Sequence, residues 1–120
     1  MNRPEDALQI AVADLLRVAA LPGVQWTHIP AAGKRTPRQG ARLKRMGANA
    51  GWPDFVIVSP GGLVRMLELK AAKGRLSPAQ QDLQQACRDW AIPYVVVKTL
   101  GEAERTLRAW DVLRPLARAA

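Results

Sequence analysis

The stretch GWPDFVIVSPGGLVRMLELK, residues 51–70, contains two β-rich runs separated by Pro60-Gly61-Gly62. Runs of valine, isoleucine, leucine and phenylalanine on either side of a short glycine-containing turn are typical of a β-hairpin. If the turn is a three-residue loop, Gly62 takes its left-handed position and Ser59 faces Leu63. This turn would fix the pairing of the two strands residue by residue, and the rest of the chain must pack around it.

The hairpin register gathers three charged residues on one face. Counting back from the turn places Asp54 opposite Glu68, and directly opposed residues have Cβ atoms roughly 5 Å apart. Lys70 is two residues from Glu68 and shares its face, whereas Leu69 points the other way. A register shifted by one residue would break this pairing.

Two carboxylates at this spacing repel each other unless a positive charge lies between them. Lys70 could neutralise one charge, and a divalent cation could neutralise both. A hard cation such as Mg²⁺ takes oxygen ligands, polarises a phosphodiester oxygen and lowers the pKa of a bound water. The structural alternative is an ion pair between Glu68 and Lys70, with Asp54 capping the turn after Pro53.

The hydrophobic pattern predicts one domain over residues 1–120, with a short tail at 115–120. The predicted elements are a helix at 3–20, strands at 24–29, 54–58 and 63–70, a helix that opens at Ser77-Pro78, a strand at 93–98 and a helix at 101–113. The order is therefore α-β-β-β-α-β-α, with a basic loop at 31–50 that has room for a short helix around 37–46.

Two polar residues stand out on the predicted helices. Glu5 continues the apolar stripe of the first helix, which Leu8, Val12 and Leu16 form, and so faces the core. Gln80 completes a capping box with Ser77, which explains it without any catalysis. A catalytic role for Gln80 stays open beside that explanation.

The positive charge is concentrated between residues 31 and 51. The chain has a net charge of +8, and no acidic residue lies between Leu15 and Pro53. Such a surface indicates either a polyanionic partner or a generally basic protein. Beside a proposed phosphodiester site, phosphate contacts are favoured. The predicted nucleic-acid-binding residues are Lys34, Arg35, Arg38, Arg42, Lys44, Arg45, Lys73 and Arg75.

The single cysteine, Cys87, excludes a disulfide scaffold and a multi-cysteine zinc site. It is typical of a protein in a reducing cytoplasm. The sequence has no run of about 18 apolar residues, so it predicts no membrane span.

These motifs resemble a known family. G-W-P-D followed by E-L-K resembles the PD-(D/E)xK nuclease signature. Together with Glu5, HIPAAGKRTPR at 28–38 and GRLSPAQ at 74–80, the sequence resembles the VRR-NUC family of virus-type replication-repair nucleases, in its stand-alone phage or bacterial form. The resemblance covers roughly residues 4–108. One departure is Ala31, where relatives often carry asparagine.

The resemblance implies an α/β fold with a restriction-endonuclease-like core, in which helices flank a mixed central sheet. It implies Mg²⁺ or Mn²⁺ held by Asp54, Glu68 and the backbone carbonyl of Leu69. Lys70 would be the catalytic lysine, with Glu5 and Gln80 completing the site and Glu5 reaching the metal through water. It also implies a homodimer that cuts branched DNA, such as a four-way junction, and that needs no small-molecule cofactor.

The sequence therefore predicts a metal-dependent DNA endonuclease. Two alternatives remain: a non-catalytic DNA-binding module on the same fold, and a nuclease that acts on RNA. Phosphate contacts alone do not separate these three functions.

Overall fold

The computed structural model describes residues 4–30 and 36–116. The helices are α1 (Pro4–Ala19), α2 (Pro37–Arg45), α3 (Pro78–Asp89) and α4 (Leu100–Ala109), and the strands are β1 (Gln25–His28), β2 (Phe55–Ser59), β3 (Leu63–Leu69) and β4 (Tyr94–Val97). None of these helices is long and apolar enough to cross a membrane. The strands form one sheet in the order β1-β2-β3-β4.

The hairpin of β2 and β3 has the predicted register. Ser59 pairs with Leu63 and Phe55 pairs with Leu67 across the antiparallel ladder. Gly61 and Gly62 form the turn with φ values of 89° and 77°, a left-handed conformation that glycine adopts without steric cost. β1 pairs with β2 antiparallel, whereas β4 pairs with β3 parallel after the α3 crossover. The sheet is therefore mixed, as predicted.

The two faces of the sheet carry different helices. On one face, α1 and α4 enclose a core that includes Leu16, Phe55, Leu67 and Leu107. Full burial of each such side chain contributes about 1.5–3 kcal/mol relative to exposure. On the other face lies α3, whose buried Cys87 thiol contacts Met66 with 3.5 Å between the sulfur atoms. The alternation of β3 directs Met66, Glu68 and Lys70 toward this second face.

The helix α2 is an addition to the predicted element order, although the sequence left room for it at 37–46. Thr36 caps its N-terminus, because its side chain accepts from Gln39 N and the Gln39 side chain accepts from Thr36 N. At the other end, Gly47 N donates to Lys44 O and Ala48 N donates to Leu43 O, which is a Schellman motif. Both ends are thus satisfied locally, and part of the 31–50 segment is helical.

The last helix ends earlier than predicted, at Ala109 rather than near Leu113. Asp111 has a φ of 55°, which turns the chain out of the helix. Val112 and Leu113 are instead buried in an extended segment, where Leu113 bridges Ala20 at the end of α1. Apolar periodicity could not distinguish this segment from a further helical turn.

Candidate active site

Asp54 and Glu68 lie together at the end of the hairpin. Extending the Phe55–Leu67 register by one residue places them opposite each other, as the sequence predicts. Glu68 is only 3% exposed. Burial, followed by the hydrogen bond to Asp54 and its negative charge, raises the pKa of Glu68 to about 9, although the charge of Lys70 opposes this shift. Glu68 therefore keeps its proton at neutral pH and donates a hydrogen bond to Asp54 when no cation lies between the two carboxyl groups.

Asp54 is held by both its side chain and its backbone. Its Oδ2 accepts from Leu69 N at 2.7 Å. Its carbonyl oxygen accepts from Ile29 N at 2.8 Å and from His28 Nδ1 at 2.7 Å, which gives the only histidine a structural role. The same register places Pro53 opposite Leu69, and proline has no N–H to donate to the Leu69 carbonyl. The proline therefore ends the ladder beside the carboxyl pair.

Glu68 receives two hydrogen bonds on one oxygen. Gln80 Nε2 donates to Oε2 at 3.0 Å, and the Tyr94 hydroxyl lies 3.4 Å from the same atom. Gln80 also closes the predicted capping box, since its Oε1 accepts from Ser77 N at 2.8 Å. One amide side chain thus caps α3 with its oxygen and holds Glu68 with its nitrogen. The capping box that the sequence predicts therefore forms, and the catalytic role of Gln80 stays a prediction.

Tyr94 is a neighbour of the acid pair that the sequence did not single out. β4 pairs Tyr94 with Met66, which places its ring on the same face as Glu68. Burial and the charge of Glu68 raise the pKa of Tyr94, so the phenol stays a neutral donor. The sequence feature that could have pointed to Tyr94 is its hydroxyl group, which stands alone in the apolar run PYVVVK.

Lys70 follows the acid pair on the same face of β3. Its backbone N donates to Val97 O at 3.0 Å, and its side-chain charge lowers the pKa of Glu68. Glu68 and Lys70, both of which the structure describes, form no ion pair with each other, so the ion pair of the structural alternative is absent. The ammonium group is therefore near the acid pair without being bound to it.

Glu5 lies at the edge of the site rather than in the pair. Its Oε1 accepts from Ala71 N at 3.1 Å, which ties the start of α1 to the end of β3. Within residues 4–30 and 36–116, no three histidine, cysteine or acidic side chains are grouped closely enough to hold a metal ion. The acidic centre is therefore Asp54 and Glu68, with Glu5 fixing the segment that follows Lys70.

The predicted nucleic-acid-binding residues fall into three groups. Arg38, Arg42, Lys44 and Arg45 are exposed on α2, and Lys73 and Arg75 are exposed between β3 and α3. Lys34 and Arg35 lie outside the described residues.

Gly51, the first residue of the G-W-P-D motif, packs against the backbone of α3. It has a φ of +94°, and a Cβ atom there would lie 2.5 Å from Ala79 O and 3.0 Å from Gln80 N. Backbone atoms cannot move aside as a flexible side chain can. The glycine therefore sets the spacing between Asp54 and the helix that carries Gln80.

Gly51→Ala should destabilise the protein and also weaken any activity that depends on Gln80. A non-glycine residue at such a φ costs about 1–3 kcal/mol, and the clash with α3 adds to this cost. Gly61→Ala is the matched control, because Gly61 has a φ of +89° with nothing within 4 Å of its added Cβ. Urea denaturation measures the loss of stability in both variants. Equal losses in the two variants would show that the contact with α3 is unimportant.

The donor atoms at this site suit a hard cation. They are the carboxylate oxygens of Asp54 and Glu68; the resemblance adds the backbone carbonyl of Leu69, the residue whose N donates to Asp54 Oδ2. Mg²⁺ and Mn²⁺ prefer such oxygen ligands. A cation would also remove the repulsion that contributes to the raised pKa of Glu68.

Comparisons with known proteins agree with this arrangement. A solved structure described as a VRR_NUC domain protein has a TM-score of 0.72 and 21% identity, covering 92% of this chain and 89% of that one. Another, described as a VRR_NUC domain, has a TM-score of 0.61 and 14% identity, covering 91% and 99%. A search of curated proteins found no match.

At these identities the two structures show the fold, a restriction-endonuclease-like core. The family itself is shown by sequence, because the model of the VRR-NUC domain matches residues 3–99. This chain belongs to the VRR-NUC domain family, a family of nucleases.

Proposed function

We propose that this protein is an endonuclease that uses Mg²⁺ or Mn²⁺ to hydrolyse phosphodiester bonds in DNA. The observation that supports it best is the carboxyl pair of Asp54 and Glu68, with Lys70 beside it, in a chain of a nuclease family. Two neighbouring carboxyl groups, one of which has a strongly raised pKa, are typical of functional sites.

In this proposal the carboxylates of Asp54 and Glu68 would hold the metal together with the Leu69 carbonyl. The bound ion would supply Lewis-acid polarisation of the phosphate and lower the pKa of a water molecule. Apart from the hydrogen bond between the two carboxyl groups, which a cation would replace, the contacts already made leave one oxygen of each carboxylate available, since Leu69 N occupies Asp54 Oδ2 and Gln80 occupies Glu68 Oε2. The acids are thus oriented before any ligand arrives.

Lys70 supplies the positive charge in this mechanism. Its ammonium would orient the attacking water and stabilise the negative charge that grows on the phosphate oxygens. Glu5 accepts from Ala71 N and so fixes the backbone next to Lys70. Glu5 would touch the metal only through water.

The proposed substrate is branched DNA, cut by a homodimer without a small-molecule cofactor in a reducing cytoplasm. The exposed cations on α2 and between β3 and α3 support a phosphate-rich partner. Each chain contributes one acid pair, so a symmetric pair of cuts across a junction needs two chains.

A cleavage assay tests this proposal. A four-way junction, a flap, a linear duplex, a single strand and a double-stranded RNA are incubated with Mg²⁺, Mn²⁺ or EDTA. We expect DNA cleavage with either metal, fastest on a branched substrate, and none in EDTA. Cleavage in EDTA would disprove the metal mechanism, and faster cleavage of RNA would disprove the substrate. DNA binding without any cleavage would favour the non-catalytic module.

A further inference from the structure

The helix α2 carries three arginines on one face. At 100° per residue, Arg38, Arg42 and Arg45 fall within about 60° of one another. Like charges at such spacings repel one another and destabilise a helix. No acidic residue lies between Leu15 and Pro53 to relieve them. The three arginine side chains form no hydrogen bond or ion pair with any residue that the structure describes.

The arginine face points away from the body of the protein. Gly40 and Leu43, on the opposite side of α2, are half-buried, and the helix has no fully buried residue. Lys44 lies at least about 100° around the helix from each arginine. The arginines, with Ala41 and Met46, border an open hollow of about 540 Å³. Since the three arginines are exposed and form no hydrogen bond or ion pair with the described residues, the arginine face is available to a ligand.

The sequence limits how far Arg45, at the C-terminal end of this face, lies from the acid pair. Asp54 is the ninth residue after Arg45, and an extended chain spans at most about 3.6 Å per residue, or about 32 Å here. Gly51, within this connection, is anchored against the backbone of α3. One turn of duplex DNA is about 34 Å long. Arg45 and the acid pair can therefore engage the same duplex within about one turn.

We propose that the arginine face of α2, formed by Arg38, Arg42 and Arg45, binds the phosphate backbone of the duplex DNA that is cut, with Arg45 within about one turn of the cleaved bond. The inference rests on the proposed function and names the surface that holds the substrate. Guanidinium groups suit this role because each can bind a phosphate through two parallel N–H donors. An anionic backbone would also relieve the repulsion within the face. Lys44, on another side of the helix, contributes less.

Fluorescence anisotropy with a labelled duplex in EDTA tests the assignment without cleavage. The variants are Arg42→Ala, Lys44→Ala and the triple variant of the three arginines, and association constants are measured between about 50 and 200 mM salt. Each phosphate contact contributes about 0.9 to the salt slope, so the slope should fall by up to about 2.7 in the triple variant. Alanine favours helix, so α2 should persist, as circular dichroism can check.

Arg105→Ala is the charge control. Arg105 is exposed on α4, which packs on the sheet face opposite the acid pair. The salt slope of DNA binding by Arg105→Ala should equal that of the unsubstituted protein. Equal losses in Arg42→Ala and Lys44→Ala would overturn the assignment to one face, and an unchanged slope in the triple variant would overturn it altogether.

The cleavage assay keeps the two proposals separate. If the unsubstituted protein cuts DNA but the triple variant binds as tightly, only the assignment of the arginine face fails. If binding depends on the arginines but no metal supports cleavage, the proposed function fails and the surface remains a DNA-binding site.

Discussion

Glu68→Gln is expected to lower cleavage by on the order of a hundredfold or more and yet to stabilise the metal-free protein above neutral pH. Glutamine has nearly the shape of the protonated glutamic acid. Its amide oxygen can accept from Gln80 and Tyr94, and its NH₂ group can donate to Asp54. The variant therefore keeps the hydrogen bonds of the pair while it loses a negatively charged group that is a proposed metal ligand.

The sign of the stability effect follows from proton linkage. The pKa of Glu68 rises from 4.5 to about 9 on folding, so between these values the folded state holds a proton that the unfolded chain releases. The free energy of unfolding therefore falls as the pH rises through this window. Because glutamine does not titrate, this contribution is absent from the variant. Mg²⁺ should restore stability to the unsubstituted protein at high pH but much less to Glu68→Gln.

Urea denaturation in EDTA and in Mg²⁺, from about pH 5 to about pH 9, measures both effects. Asp14→Asn is the control, because Asp14 is 65% exposed in a surface ion pair with Arg17. It should keep the pH slope of the unsubstituted protein. If Glu68→Gln has the same pH slope as this control, Glu68 does not keep its proton in the folded state.

The hairpin shows how far the sequence alone can define the site. Pro60-Gly61-Gly62 determines the turn length, the turn determines the register, and the register brings Asp54 to Glu68. All these contacts are local or lie within one supersecondary unit. The apolar stripe of α1 likewise predicts which face carries Glu5, because helical periodicity is a local property.

The contacts that the sequence could not predict depend on long-range packing. Tyr94 reaches Glu68 only because β4 pairs parallel to β3 after the α3 crossover. Gly51 is required by the approach of two backbones. The second contact of Gln80 depends on where α3 lies over the sheet, although its capping role could be predicted from S-P-A-Q. Local patterns thus locate the acids, and the tertiary fold supplies the groups that orient them.

Lys70→Ala is expected to lower the cleavage rate at saturating DNA by about 10²–10³-fold while binding in EDTA changes by less than about tenfold. The ammonium would act on charge that develops in the transition state, so its loss should affect turnover more than binding. Lys70 also lowers the pKa of Glu68. Its removal should therefore extend the pH range over which the metal-free pair keeps its proton, which denaturation in EDTA can measure.

A titration of Mg²⁺ separates the two ways in which Lys70 could matter. If it acts on the phosphate or the water, no concentration of Mg²⁺ restores the rate of Lys70→Ala. Restoration by high Mg²⁺ would instead show that the lysine governs metal occupancy. Lys98→Ala is the control, since Lys98 is an exposed lysine just after β4 whose Nζ donates to Ala72 O at 2.8 Å. Lys98→Ala removes the same charge close to the site and should cleave at the wild-type rate. If Lys70→Ala also cleaves at the wild-type rate, Lys70 has no catalytic role.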